Sequence, residues 1–422
     1  MRKISTLLVL ALLYVMCNSV AAQNFTKEIQ ALSDSGSSII RTIDRTHWLV
    51  YSENAKGHLF YLISVNDTVL SYMYFDDRTI KVTDFEIYSD TVYFCGSHKN
   101  NGVQCGIAGH FPIVGFPACT VKYDSFQEVL SFGALEAFSV EDHMHVVMTA
   151  TAPTGYSTMT DLRHLSGDNW ECDVVDSLGG WMFDDVAVST THILFTSRIL
   201  PPSKVLSYVW KIDMPGYFGT VIFNSTINVD MFHGEPVCDT FLVTEAMGGF
   251  VMAKALSNGK IRMHQYAAST YSASLDFSGE PDFSLKALDY ADVANCADVL
   301  VSTRNESGVD SRIYHVPAMA FVQNWTSWIH YYKNEDISSL CLSSDWDSTF
   351  VASGMDNASS CMRVYRYKYD NYRCTKQSGF EIEGVYPDVT YKDLGVSIKA
   401  YQHNIAEKTH NTGVVNIATI CP

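Results

Sequence analysis

The chain has 422 residues, of which 47% are hydrophobic and 13% aromatic, and it carries a formal net charge of −17 at pH 7. This hydrophobic content is typical of a packed globular protein and excludes a predominantly disordered chain. The negative charge repels phosphate groups, so nucleic acids and anionic membrane surfaces are poor candidates for partners.

The first 22 residues have the layout of a secretory signal peptide. Basic residues precede an apolar run from Ile4 to Cys17, and a stretch of small residues ends at Ala22. This pattern predicts cleavage after Ala22 and export of residues 23–422. No later stretch approaches the roughly 20 unbroken apolar residues that a membrane helix needs. We therefore expect a periplasmic, cell-surface or secreted protein without a membrane span.

The residues from 84 to 123 give the clearest picture of a repeated unit. The predicted strands are Asp84–Ile87, Thr91–Gly96, Gly102–Ile113 and Ala118–Tyr123. An Asn-Gly pair between the second and third strands is a strong hairpin signal. Four short antiparallel strands in about 50 residues are typical of a β-propeller blade.

The phrase that opens this unit, an acidic residue followed by apolar alternation, begins at Asp84, Asp185, Asp292 and Asp336. Glu136 and Glu235 lie where two further copies are expected, so the six acids are spaced about 50 residues apart. The repeat predicts an all-β chain in which residues 23–422 form a single β-propeller of four-stranded antiparallel blades.

We expect seven blades, with eight as the alternative. Asp393 begins one more copy of the phrase, and Gly413–Ile420 has the pattern of one more strand. The segment Phe25–Leu32, which follows the signal peptide, is expected to join the last sheet. Closure by both ends of the chain removes exposed sheet edges that would otherwise aggregate.

The unit of residues 84–123 resembles secreted β-propeller proteins of Bacteroidetes-type bacteria. The resemblance rests on Asp84–Ile87, on Val92–Gly96, and on Gly106–Phe111. It implies the propeller fold and the export route. It implies no catalytic residues, because that group of proteins is largely uncharacterised.

The six repeated acids allow two interpretations. If each lies at the start of an innermost strand, together they form a ring near the mouth of a central channel and bind a cation or a polar ligand. Alternatively, each carboxylate accepts backbone N–H groups in the connection between blades, as aspartate commonly does in turns.

An aromatic cluster near the last unit is a second candidate binding site. Trp325, Trp328 and Tyr331 lie in one short segment. Exposed rings in an exported protein favour stacking on a sugar. The alternative is that these rings fill the space between two sheets.

Cysteine usage fits an oxidising compartment, because removal of the signal peptide leaves ten of the 11 cysteines, an even number. Cys95 and Cys105 flank the Asn-Gly turn, so we expect them to form a disulfide across the hairpin. The other pairings stay open.

The sequence lacks the linear motifs of the common hydrolases and nucleotide-binding enzymes, such as GxSxG, HExxH and the phosphate-binding loop. This absence favours a binding module for a glycan, peptide or protein, with no cofactor and no metal. A polysaccharide hydrolase or lyase that draws its acids from several blades is the alternative. A structural platform in an envelope complex is the third hypothesis.

Overall fold

The computed structural model contains strands and no helix in the residues that it describes. These are residues 26–29 and 38–368, apart from 45–46, 55–56, 65–68, 76–78, 141–142, 155, 167–168, 180, 191, 200–206, 214–236, 247–248, 257–258, 268–269, 279–282, 292–295, 306–307, 318–326, 333–335, 343–347 and 356–361. The predicted signal peptide and the candidate eighth blade lie outside the described residues.

The first half of the chain forms three four-stranded antiparallel sheets in sequence order. Sheet 1 consists of β2 (Ser38–Thr42), β3 (His47–Asn54), β4 (Gly57–Ser64) and β5 (Val69–Tyr74). Sheet 2 consists of β6 (Lys81–Tyr88), β7 (Thr91–Asn100), β8 (Val103–Pro112) and β9 (Lys122–Phe126). Sheet 3 consists of β10 (Ser131–Val140), β11 (His143–Thr151), β12 (Tyr156–Ser166) and β13 (Asn169–Gly179).

The second half continues the same order through four more sheets. The described part of sheet 4 has β14 (Trp181–Val188), β15 (His192–Ile199) and β16 (Ser207–Asp213). Sheet 5 has β17 (Val237–Ala246), β18 (Gly249–Leu256), β19 (Lys260–Ala267) and β20 (Thr270–Ser278). Sheet 6 has β21 (Phe283–Ala291), β22 (Cys296–Asn305), β23 (Gly308–Pro317) and β24 (Ser327–Tyr332). Sheet 7 has β25 (Ile337–Leu342), β26 (Ser348–Met355), β27 (Met362–Lys368) and, as its outermost strand, β1 (Thr26–Ile29).

The N-terminal strand completes the last described sheet. β1 pairs antiparallel with β27, with Thr26 opposite Tyr365 and Ile29 opposite Met362. The pairing places Thr26–Ile29, part of the predicted strand Phe25–Leu32, in the last described sheet. The predicted strand Gly413–Ile420 lies outside the described residues.

The hydrophobic core lies in layers between successive sheets. Between sheets 1 and 2, Phe60 makes edge-on contacts with Phe85 and Phe111, whose ring centroids lie 5.2 and 5.1 Å away. All three rings are fully buried. Comparable apolar clusters join sheets 2 and 3, 3 and 4, 4 and 5, and 5 and 6. Antiparallel sheets that are stacked face to face through such layers have a propeller-like arrangement.

Serine hydroxyls connect sheet 7 to sheet 1. The Ser38 and Ser338 hydroxyl oxygens lie 2.6 Å apart, and the Ser38 N–H donates to Ser338 Oγ at 3.2 Å. The Ile40 N–H donates to Ser339 Oγ at 3.0 Å. The first and last innermost strands are therefore joined directly.

The hairpin between β7 and β8 corrects the predicted disulfide. Its two-residue turn, in which Asn101 and Gly102 have φ values of 50° and 86°, places Cys95 opposite Ala108 and Cys105 opposite His98. Because side chains alternate between the two faces of a sheet, this register puts the cysteines on opposite faces. Both are buried free thiols, so the prediction of a Cys95–Cys105 disulfide was wrong.

The predicted fourth strand of sheet 2 is also displaced. Residues 113–121 form turns instead of the start of the strand, with N–H bonds from Phe116 to Ile113 and from Ala118 to Gly115. Gly115 has a φ of 87°, which ends any regular strand at that point. The strand therefore begins at Lys122 rather than at Ala118.

Candidate functional site

The innermost strands of all seven sheets line one central cavity of about 640 Å³. Its volume falls within the roughly 300–1,000 Å³ that is usual for ligand pockets. The side chains that line it come from β2, β6, β10, β14, β17, β21 and β25. Each sheet directs one edge toward the centre, and the strand at that edge supplies side chains to the cavity lining.

Most innermost strands carry a β-bulge near the same position, which changes the face that the following side chains occupy. The register shifts between Val82 and Asp84 in β6, between Phe183 and Asp185 in β14, and between Leu285 and Ala287 in β21. Buried apolar residues precede the bulge, and cavity-lining residues follow it. A strict alternation of faces therefore fails to predict which acids face the cavity.

Carboxyl groups dominate the charged lining of the cavity. The six acids are Asp84, Glu86, Glu136, Asp184, Asp185 and Asp289. Among the described residues, the cations in the lining are Arg41 and the exposed Lys286. The excess of acids makes this an electronegative cavity when all of these groups are ionised.

Three of the acids share one hydrogen-bond geometry. Each accepts the N–H of the next residue at Oδ1 and, at Oδ2, an N–H from the innermost strand of the following sheet. The donors are Phe85 and Leu135 for Asp84, Val186 and Val243 for Asp185, and Tyr290 and Leu342 for Asp289, at distances of 2.7 to 3.1 Å. We call this arrangement the carboxylate clamp.

The carboxylate clamp joins sheet 2 to 3, sheet 4 to 5, and sheet 6 to 7. For Asp84 and Asp185 it corresponds to the interpretation in which the repeated acid accepts backbone N–H groups between blades. The same two side chains also line the cavity. Each therefore connects two sheets and contributes charge to the cavity.

Arg41 compensates the acids on one side of the cavity. Its Nη2 lies 2.7 Å from Asp84 Oδ1, and its Nε lies 3.4 Å from Glu86 Oε2. The guanidinium also lies over the Phe85 ring, 5.7 Å from the ring centroid. Burial alone would lower the pKa of Arg41, but the charges of Asp84, Glu86 and Asp289 outweigh that effect and keep it protonated.

Burial raises the pKa values of the acids, but to different extents. Burial raises the pKa of Asp84 against the opposing effects of Arg41 and two N–H donors. It raises the pKa of Asp289 to about 6 and that of Asp185 to about 8. The pKa of Glu136 is raised well above its usual value by burial and by the negative charges of Glu86 and Asp84. The pKa of about 8 means that Asp185 is mostly protonated at neutral pH, and the pKa of Glu136 is shifted in the same direction.

The structure brings together three of the six predicted acids. Asp84, Glu136 and Asp185 line the cavity, whereas Asp336 lies just before β25 and outside the lining. Glu235 and Asp292 lie outside the described residues.

The aromatic cluster is not part of this cavity in the part of the chain that is described. Trp328 and Tyr331 belong to β24, the outermost strand of sheet 6, where they pair with Tyr314 and Arg312. The cavity is lined by the innermost strand, at the opposite edge of that sheet. Trp325 lies outside the described residues.

Sequence reasoning missed Arg41, Glu86 and Asp289. The segment Leu288-Asp289-Tyr290 carries the same pattern of an acid beside apolar residues as the phrase at Asp292. Asp289 lies three residues before Asp292. Glu86 stands two residues after Asp84, on the same face of a regular strand. A closer reading of the repeat could therefore have found Glu86 and Asp289, whereas no feature of the repeat marks Arg41.

Two further properties concern metals and membranes. In residues 26–29 and the described parts of 38–368, no three histidine, cysteine or acidic side chains are grouped so that they could hold a metal ion. The same residues include no helix with the length and hydropathy needed to span a bilayer.

Comparison with known proteins finds no matching family model and no matching curated protein. Among solved structures, prolyl oligopeptidase B from Galerina marginata is 11% identical, with a TM-score of 0.48 over 83% of this chain. A PL25 polysaccharide lyase, an ulvan lyase bound to -[GlcA(1-4)Rha3S]-, is 10% identical with a TM-score of 0.48, over 80% of this chain and 95% of its own. The match to the Galerina enzyme covers 50% of that protein, so this chain spans about half its length.

Proposed function

We propose that this protein is a secreted or cell-envelope seven-bladed β-propeller that binds a peptide or protein ligand through a basic group inserted into the central cavity. The proposal includes a signal peptide at residues 1–22. It also includes a single domain at residues 23–422, of the kind found in secreted propellers of Bacteroidetes-type bacteria. The seven consecutive sheets within the described residues, and the serine contacts between the last and first of them, support the blade number.

The observation that carries the proposal is the concentration of six carboxyl side chains around one cavity of about 640 Å³. Arg41 is engaged by Asp84 and Glu86, and Arg198 binds Asp184 with its Nε 3.0 Å from Oδ1. Glu136 and Asp185 form no ion pair with any cation in the described part of the chain. A lysine or arginine side chain of a ligand would supply the missing positive charge.

The charge of the cavity selects among the ligand classes. A neutral glycan would gain hydrogen bonds but no ionic attraction, and an acidic glycan or peptide would be repelled. A basic peptide segment gains both, and the net charge of −17 would also speed its approach to the protein.

A binding experiment tests this proposal. The probe is N-acetyl-trilysine amide, and triglutamate with the same end groups and a neutral oligosaccharide serve as comparison ligands. We expect the trilysine probe alone to raise the melting temperature, because a ligand that binds only the native state stabilises it. Glu136→Gln should weaken this effect, whereas Glu128→Gln, at an exposed position in the turn after β9, should leave it unchanged. Equal shifts with triglutamate, or no shift with trilysine, would contradict the proposal.

One observation favours an enzyme as the second candidate. Asp185, with its pKa raised to about 8, and Asp84, held beside Arg41, resemble the protonated and ionised carboxyls that cleave glycosidic bonds. Turnover of an extracellular polysaccharide that is abolished by Asp185→Asn would establish this function. Copurification with an envelope complex, without small-ligand binding, would instead support a structural platform.

A further inference from the structure

The ionisable groups that face the cavity come from six of the seven innermost strands. They are Arg41 from β2, Asp84 and Glu86 from β6, Glu136 from β10, Asp184 and Asp185 from β14, Lys286, Asp289 and Tyr290 from β21, and Cys341 from β25. β17 contributes Leu242, Val243 and Thr244, none of which titrates. Behind β21, the buried Asp298 of β22 adds negative charge near Asp289.

The cations are distributed unevenly among these acids. Asp84 and Glu86 share Arg41, and Asp184 is bound by Arg198. Glu136 and Asp185 lie on strands β10 and β14, which belong to adjacent sheets. Neither forms an ion pair within the described residues, so ionisation of these two groups adds uncompensated negative charge to the cavity.

Two effects keep protons on this side of the cavity. Burial penalises the charged form of both carboxyls. The negative charges of Glu86 and Asp84 act in the same direction on Glu136, against the charge of Arg41, and Asp84 acts in the same direction on Asp185. For Asp185 the N–H groups of Val243 and Val186 oppose the shift but do not cancel it. A cation beside these carboxyls would favour their ionised forms.

We propose that the Glu136–Asp185 side of the cavity exchanges its protons for the positive charge of the ligand, so that ligand affinity rises with pH. This inference rests on the proposed binding of a basic group. In the exchange, a carboxyl O–H bond breaks, the proton passes to the buffer, and the carboxylate that remains pairs with the cation. Linkage requires that a group that loses its proton on binding makes affinity increase with pH.

Titration calorimetry tests the exchange directly. The probe is again N-acetyl-trilysine amide, because acetylation removes the α-amino group, which would itself titrate near pH 8, and the lysine side chains stay charged below pH 9. Measurements at pH 6 and pH 8.5 in buffers of low and high ionisation enthalpy give the affinity and the number of protons released. We expect about one proton to be released near pH 7, which makes affinity roughly 50- to 100-fold higher at pH 8.5 than at pH 6.

Two double variants test whether Glu136 and Asp185 are the groups that release the proton when the ligand binds. The Glu136→Gln/Asp185→Asn double variant should bind more weakly and lose both proton release and pH dependence. The control double variant, Glu128→Gln/Asp124→Asn, changes exposed groups on β9 and in the turn that follows it, and should behave like the wild type. Proton release by the wild type is measured without any variant, so the proposal stays testable even if the double variant fails to fold.

The outcomes separate this inference from the proposed function. Binding of trilysine without proton release and with constant affinity would overturn the exchange and leave the proposed function standing. Absence of binding at every pH would overturn both. Proton release that persists in the Glu136→Gln/Asp185→Asn variant would also overturn the exchange at these two residues.

Discussion

The junction between sheets 2 and 3 and the junction between sheets 4 and 5 use the same carboxylate clamp in different electrostatic surroundings. Asp84 and Asp185 each accept one N–H from their own strand and one from the next sheet. Arg41 lies 2.7 Å from Asp84, whereas Asp185 forms no ion pair in the described structure. The comparison teaches that the repeated acid makes the same backbone contacts at both junctions, while a single arginine outside the repeated phrase pairs with the acid at only one of them.

The largest expected effect comes from removing the cation of the first junction. Arg41→Met leaves Asp84 and Glu86 as uncompensated charges in the interior, and we expect the free energy of unfolding at pH 7 to fall by about 2–3 kcal/mol. Urea unfolding would measure this loss. Lys99→Met, at an exposed position of sheet 2, is the matched control and should change stability by less than about 0.5 kcal/mol. Equal effects of the two substitutions would show that the ion pairs of Arg41 do not stabilise the first junction.

Substitution of Asp185 and of Asp84 should change the pH dependence of folding stability in different ways at the two junctions. The pKa of Asp185 in the folded protein, about 8, is above its value of about 3.8 in the unfolded chain. Its protonation therefore stabilises the folded state fully below pH 4, and this contribution is lost as pH rises through 8. Asp185→Asn should thus be closest to the wild type in acid and gain relative stability as pH rises from about 4 to 8, with the gain complete above pH 8.

Asp84→Asn should behave differently, because it leaves Arg41 without its nearest partner. We expect it to lower the free energy of unfolding at pH 7 by about 1–2 kcal/mol, more than Asp185→Asn does at the same pH. Melting temperatures of both variants and the wild type between pH 5 and pH 9 would measure the difference. Parallel pH profiles for the two variants would contradict the distinction between the junctions.

The smallest expected effects concern hydroxyl groups that connect the same pairs of sheets. The buried Thr196 hydroxyl donates to the Phe241 carbonyl at the junction of sheets 4 and 5, and the Thr83 hydroxyl donates to the Phe132 carbonyl at 2.7 Å at the junction of sheets 2 and 3. Replacing either threonine with valine keeps the shape and removes the donor. We expect a loss of about 1 kcal/mol for Thr196→Val and somewhat less for the half-buried Thr83, measured by urea unfolding. A stabilising effect of either substitution would show that its hydroxyl contributes nothing to the contact between sheets.

The sheets were largely predictable from the sequence because their signals are local. The predicted strands Asp84–Ile87 and Thr91–Gly96 lie within the observed β6 and β7. Short alternating runs between polar turns suffice for that prediction. The turn at Asn101 and Gly102 was also found, but applying its two-residue geometry would have excluded the Cys95–Cys105 disulfide.

The site was less predictable, because the faces of the innermost strands depend on bulges and on long-range contacts. The bulge in β21 shifts the register between Leu285 and Ala287, and the strand continues to Ala291, so Asp289 lines the cavity. Arg41 lies 43 residues before Asp84 in the sequence, and only the packing of sheet 1 on sheet 2 brings them together. No repeat signal encodes such a pair.

The pairing of β1 with β27 sets the timing of folding. Thr26 lies near the start of the chain, but its partner Tyr365 is synthesised only after almost all the other described strands. Until then β1 has no partner strand, and its pairing must close a very long loop. Such non-local pairings form slowly. Completion of this fold is consequently a late event, during which a strand edge is open to other chains and a chaperone would have most effect.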